Sequence, residues 1–133
     1  MPASSIEITC RSSSSTPALL TAAASIVGVP LERIAAAVKS AGVDELLRHV
    51  ISIEDAGIYK PHRTVYELAT RRLQLPPERI CFVSSNGWDA AGAAHFGYRA
   101  VWANRGGQPR ERIPGVLAAE IVSLDQLPSL LGL

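Results

Sequence analysis

Residues Ile80 to Gly97 read ICFVSSNGWDAAGAAHFG, and the order of residue types within them decides the fold. Ile80 to Val83 is a continuous apolar run, as expected of a central strand in a parallel sheet. Ser84-Ser85-Asn86 is turn chemistry. Ala90 to Phe96 reads as a helix of small residues that stops at Gly97. Ser84, Ser85, Asn86 and Asp89 therefore stand where a strand ends. Ligands of open α/β sheets bind at the carboxyl ends of the strands, so one wall of any site lies in this stretch.

The flanking segments repeat the same rhythm. Upstream, His62 to Leu73 places Val65, Leu68 and Ala69 on one helical face, followed by Leu73. Pro76-Pro77-Glu78-Arg79 is a turn. Lys60 precedes Pro61, which pushes it out of the helical region. Val50, Ile51 and Ile53 mark a short strand broken by Glu54-Asp55-Ala56-Gly57. Further back, Leu31, Ile34 and Val38 give a helical stripe over Leu31 to Ala41, with Gly42 as its stop. Asp44 is expected to cap a short helical segment through Arg48. Downstream, Arg99 to Ala103 is a strand and Asn104 to Gly115 a Gly-, Pro- and Arg-rich loop expected to be flexible. Ile121-Val122 reads as a last strand, and Leu124 to Leu131 as a short helix interrupted by Pro128. Strand and helix in alternation mean an α/β parallel sheet with right-handed crossovers.

The first thirty residues fit less well. Ile6, Ile8 and Cys10 alternate as in one short strand, and Ser12 to Thr16 looks like a linker. Pro17 can open a helix through Ile26, while Ser25 to Val29 reads equally as a strand. The expected division is a Ser-rich, poorly ordered segment over 1–30 and an α/β body over 31–133.

A chain of 133 residues is enough for one domain with a core, and its 13 basic and 12 acidic residues leave a formal charge of +1. That balance offers nothing to nucleic acid or an anionic membrane. Cys10 and Cys81 are far apart and belong to no metal-binding spacing, so the default is a reducing, cytoplasmic setting. Ala18 to Leu31 is too short to span a bilayer, and Glu7 with the serine run is a poor start for a signal peptide. His49, His62 and His95 read as surface or capping groups, and Arg71-Arg72 as a solvated helix face.

Lys60, Asp89 and the hydroxyl and amide groups of Ser84, Ser85 and Asn86 together describe an anion-handling pocket. The N–H groups at the start of the following helix add partial positive charge. Each piece also has a plain structural use, as a cap, a turn or a solvated lysine.

Their combination resembles the haloacid dehalogenase (HAD) superfamily. The segments are Tyr59-Lys60-Pro61-His62, Val65-Tyr66-Glu67-Leu68 and Phe82 to Ala93. The likeness runs from about Ala35 to Asn104 and is to the type II 2-haloacid dehalogenase branch. It implies a Rossmann-like, HAD-type sheet and hydrolysis of small (S)-2-haloalkanoic acids through an aspartyl ester. On that resemblance Lys60, Ser84, Asn86 and Asp89 are the catalytic set, with Tyr66 and Trp88 against the substrate. Phosphatase members carry a further acid at the strand end that helps hold Mg²⁺. Here Ser84-Ser85 stands there, and a hard cation wants several oxygen ligands, carboxylates among them. The implied chemistry is therefore free of metal and cofactor.

Two parts of the family pattern are missing. The nucleophilic aspartate lies on the first strand in a pattern near Asp-x-x-Gly-Thr, but the first aspartate here is Asp44. The arginine-bearing cap domain is absent too. The Ser/Thr-Asn-Gly turn of the family is replaced by Ser25-Ile26-Val27-Gly28-Val29-Pro30. The expectation is an incomplete core, lacking the first central strand, in a truncated or degenerate form that does not turn over by itself. Without that strand two apolar edges stand open, unless Ile6 to Cys10 fills the slot. The open edges suggest a homodimer. The alternatives are a non-catalytic module that binds a small carboxylate or oligomerises, and an HAD-type phosphatase.

Overall fold

The computed structural model describes residues 4–11, 19–26, 31–40, 42, 45, 47–110 and 112–132. The linker Ser12 to Thr16, the Pro17 helix start, the Gly28-Pro30 turn and the Asp44 cap lie outside those residues. Six strands form one sheet: β1 (Ser4–Arg11), β2 (Leu19–Ile26), β3 (Leu47–Val50), β4 (Cys81–Ser84), β5 (Arg99–Ala103) and β6 (Ala119–Ile121). Their order is β3-β2-β1-β4-β5-β6. Four helices accompany them: α1 (Leu31–Ser40), α2 (Arg63–Leu73), α3 (Gly87–Phe96) and α4 (Leu127–Leu131).

β2 and β3 pair in parallel, as do β4, β5 and β6, whereas β1 is antiparallel to both β2 and β4. Five strands thus point one way and β1 alone runs against them. The slot for a parallel central strand holds a reversed one, with Ile6 opposite Val83 and Ile8 opposite Cys81. The open edge anticipated beside the Ile80 strand is therefore occupied. The helix expected through Ile26 is not formed: Leu19–Ile26 is strand β2, which pairs with β1 along its whole length.

Between α1 and β3 the structure departs from the sequence pattern. A helical segment is expected through Arg48, but Leu47 already begins β3, paired with Ala22 of β2. Pairing to a neighbouring strand outweighs weak local helix propensity. The strand expected at Val50 to Ile53 accordingly ends at Val50, and Ile53–Asp55 is a 3-10 turn.

The body from α2 onward follows the residues closely. His62 caps α2, its Nδ1 accepting from the Thr64 N–H at 3.3 Å. Ile80, Phe82 and Ala100 meet Tyr66, Ala69 and Ala93 of α2 and α3 on one face of the sheet. Cys81, Val83, Val101, Ala103 and Ile121 meet Leu127 of α4 on the other. Burying a side chain such as Ile80 or Phe82 contributes about 1.5–3 kcal/mol. α3 can lie close to its neighbours because five of its ten residues are Ala or Gly between Ala90 and Ala94. A Cβ on Gly92 would stand 2.7 Å from the Tyr66 hydroxyl, and one on Gly115 would stand 2.3 Å from the Ala91 carbonyl oxygen.

The chain leaves β3, runs through α2 and returns to β4 on the far side of β1. This reversal marks the carboxyl edge of the sheet where such folds bind ligands. Ser84 ends β4 at that edge, and the 51–62 connection carrying Lys60 arrives there from β3. No helix among the described residues is long and apolar enough to cross a membrane.

Candidate functional site

The chain brings Lys60, Ser84, Asp89 and Tyr66 into one hydrogen-bonded cluster. Asp89 occupies the first turn of α3, where the helix dipole favours a negative charge. Its Oδ2 accepts from Lys60 Nζ at 3.2 Å and from Ser84 Oγ at 3.0 Å. Its Oδ1 accepts from the Tyr66 hydroxyl at 3.0 Å. The side chains of Lys60 and Asp89 both have 0% exposure, so this is an ion pair removed from water. Removing two charges from water is costly unless geometry and further hydrogen bonds compensate, and the hydroxyls of Ser84 and Tyr66 supply that compensation.

Ser84 is fully engaged. Its Oγ accepts from the Asn86 N–H at 3.1 Å while its own proton goes to Asp89. Asn86 is the N-cap residue of α3, half-buried, and its side chain makes no capping bond. Trp88 is half-buried in the first turn of α3, next to Asp89. Tyr66 has 0% exposure, belongs to the aromatic core and borders a cleft between α2 and α3.

Apart from Tyr66, the sequence reading missed the groups that hold this cluster. Phe82 and Tyr66 turn their rings to the Lys60 ammonium at 5.0 and 5.7 Å. The Tyr98 hydroxyl donates to the backbone carbonyl of Tyr66. Trp102, on β5, donates its indole N–H to the Ser85 carbonyl at 3.3 Å and so ties the turn between β4 and α3 to the next strand. Alternation along β4 places Phe82 on the face of Ser84, two residues away, which is the one signal that singles it out. Nothing in the sequence singles out Trp102.

The loop after β5 is more constrained than its composition suggests. Asn104 is buried, accepts from the Gln108 N–H at 2.8 Å and donates to Glu120 at 2.7 Å. Arg110 Nε donates to the other Glu120 oxygen at 3.2 Å. The Asn104 amide, and then the Arg110 guanidinium, hold the Glu120 carboxyl below its ordinary pKa, against a smaller opposing effect of desolvation. One buried asparagine, with three side-chain hydrogen bonds to Gln108 and Glu120, thus organises a loop that its glycines would leave loose.

Two clefts lie near the cluster. One of 270 Å³ is bounded by Gly87, Ala91, Trp102, Arg110, Ile113, Gly115, Val116 and Leu117. The other, of 210 Å³, lies between α2 and α3 beside Pro61, Arg63, Tyr66 and His95. Lys60, Ser84 and Asp89 line neither. Among the described residues, no three His, Cys, Asp or Glu side chains converge as a metal site would require.

A family model described as haloacid dehalogenase-like hydrolase matches residues 14–97. The chain is 40% identical to (S)-2-haloacid dehalogenase 2 of Pseudomonas sp. (strain CBS-3) over 99 residues, 74% of this chain and 43% of that protein. The crystal structure of an L-2-haloacid dehalogenase superposes with a TM-score of 0.75 at 38% identity, covering 78% of this chain and 46% of the other. A Xanthobacter autotrophicus L-2-haloacid dehalogenase with chloropropionic acid covalently bound superposes with a TM-score of 0.74 at 25% identity, covering 77% and 51%. The chain spans less than half the length of the curated relatives it matches.

Proposed function

The chain belongs to the haloacid dehalogenase-like hydrolases, and we propose that it carries the charge- and water-handling half of a site for hydrolytic dehalogenation of small (S)-2-haloalkanoic acids. The observation that carries this reading is the buried Lys60–Asp89 pair at the carboxyl end of β4, held by Ser84 and Tyr66. In the two-step reaction, a carboxylate nucleophile displaces halide from C2 and forms an ester. Water then attacks the ester carbonyl, freeing the carboxylate and a 2-hydroxy acid. Asp89 is suited to orient that water and take its proton, since its carboxylate is fixed on both oxygens. Lys60 balances the charge of the carboxylates. Asn86 and the first N–H groups of α3 remain to meet the substrate's own carboxylate.

β1 and β2 contain no aspartate, and the first in the chain is Asp44. We therefore assign to residues 1–133 binding of the haloacid without turnover. Metal-independence belongs to the same proposal. Asp89 already serves three donors, and its neighbours Ser84 and Ser85 are neutral where a hard cation would need carboxylates.

The test is direct. Calorimetric titration with (S)-2-chloropropionate is expected to show binding that Lys60→Met weakens at least tenfold, with no halide released above the buffer rate. Absence of binding overturns the substrate class. Halide release that Asp89→Asn abolishes overturns the half-site reading and requires a nucleophile within this chain. Mg²⁺-dependent release of phosphate from a generic ester favours the phosphatase alternative instead.

A further inference from the structure

We infer that Phe82 is a positioning residue: the face of its ring seats the Lys60 ammonium and aims it at Asp89. The role in ligand binding rests on the function proposed above; the seat itself does not.

Lys60 reaches the cluster from a loop, not from a helix or strand, at the Lys60-Pro61 step before α2. A four-carbon side chain anchored at one end in a loop has many rotamers, and ordering it costs entropy. Its ammonium meets Asp89 Oδ2 at 3.2 Å. Two ring faces lie against the same ammonium and bear on its direction. Nζ lies 5.0 Å from the Phe82 centroid and 5.7 Å from the Tyr66 centroid, inside the range where a cation is drawn to an aromatic quadrupole.

The two rings are themselves immobilised. Phe82 has 0% exposure, meets Tyr66 edge to face at 5.8 Å and stacks on Tyr98 at 5.7 Å. Tyr66 stacks on Phe96 at 5.8 Å, and Tyr98 bonds the Tyr66 backbone. Of the two, Phe82 has no polar atom and no hydrogen bond to Asp89, so its contribution to Lys60 comes through its ring alone. A leucine of similar hydrophobicity at 82 would fill much of the space and leave the ammonium without that face.

The chain holds only two lysines, Lys39 and Lys60, which makes the test clean. With lysine labelled at the ε carbon, Lys60 is expected to show ε protons shifted upfield by the rings relative to exposed Lys39. Phe82→Leu should remove most of that shift. A second series avoids any loss of fold: site-specific replacement of Phe82 by 4-fluoro- and 3,4,5-trifluorophenylalanine weakens the ring quadrupole with little change of shape. Reductive methylation of Lys60, with Lys39 as internal reference, should accelerate along that series, reaching about tenfold for the trifluoro ring. Rates that stay equal across the series overturn the inference. Affinity for (S)-2-chloropropionate should fall in parallel. Faster methylation with undiminished affinity leaves the seat standing and removes its role in ligand binding. Absence of ligand binding in every variant counts against the proposed function alone.

Discussion

Lys60→Met, Asp89→Asn and the double variant form a cycle whose outcome the geometry fixes in sign and size. Each single change leaves a charge behind in a place with 0% side-chain exposure. Breaking a buried pair from one side costs about 3–5 kcal/mol, because the remaining charge is neither paired nor hydrated. Lys60→Met falls at the lower end, near 3 kcal/mol, since Ser84 and Tyr66 still donate to the Asp89 carboxylate. Asp89→Asn is at least as costly. The amide offers one acceptor oxygen to three donors, and its own NH₂ then faces groups that also donate. In the double variant no charge remains, and the loss reduces to imperfect hydrogen bonds, about 2 kcal/mol. The coupling energy is then about 4 kcal/mol, against 1 kcal/mol or less for an exposed pair. Equilibrium urea unfolding of the four proteins measures it directly, best at low temperature because a single variant removes a large part of a typical 5–15 kcal/mol. A coupling below about 1 kcal/mol would refute the reasoning, and would mean that water reaches the pair in solution.

Gly115→Ala places a Cβ 2.3 Å from the Ala91 carbonyl oxygen at φ +134, so the loop must leave α3; urea unfolding should show a loss of about 3 kcal/mol, as large as a core defect. Trp102→Phe keeps the β5 packing but deletes the donor to Ser85, and should cost about 1–2 kcal/mol with a changed amide resonance at Asn86 by NMR. Glu120 has a folded pKa held below its unfolded value, so its contribution is complete above the unfolded value near 4.5 and is lost as pH falls through the folded one. Glu120→Gln should therefore flatten the stability profile in that acid window and leave its slope at neutral pH unchanged, as read from unfolding midpoints across pH.

How much was legible depends on whether the deciding contact is local. Ile80 to Gly97, α2 and β5 could be read from residue type because period and punctuation agree there: apolar run, polar turn, small helix, glycine stop. Asp89 in the first turn beside Ser84 follows from that reading, Lys60 joins them as the pre-proline cation of an anion-handling pocket, and the family resemblance supports the grouping. β3 was misplaced by three residues because its pairing with β2 is a long-range fact, invisible in the Leu47-Arg48-His49-Val50 pattern alone. The ring seat under Lys60 and the Trp102–Ser85 bond were not legible for the same reason. Phe82 lies 22 residues from Lys60 and Trp102 17 from Ser85, and both rings also look like ordinary core. Asn104 misled in the opposite direction, since a loop full of glycine reads as loose until its buried amide is seen with three hydrogen bonds.

The direction of β1 separates two kinds of completeness. A sheet needs every interior edge paired, and an antiparallel strand does this as well as a parallel one; Ser5 to Ile8 pair with β4 and the full strand pairs with β2. A site at the carboxyl edge needs more, because only a parallel strand would deliver its own carboxyl end, and the residue following it, to that edge. β1 is reversed, so the end it brings beside Ser84 and Ile26 is its beginning, Ser4 and Ser5. On the family resemblance, the nucleophilic aspartate belongs to that first strand. Replacing Ser5 by aspartate would put an acidic residue in register with Ser84 but on a strand running the wrong way. It should therefore not start halide release from (S)-2-chloropropionate, and release dependent on Asp89 in that variant would show that strand direction does not decide the chemistry.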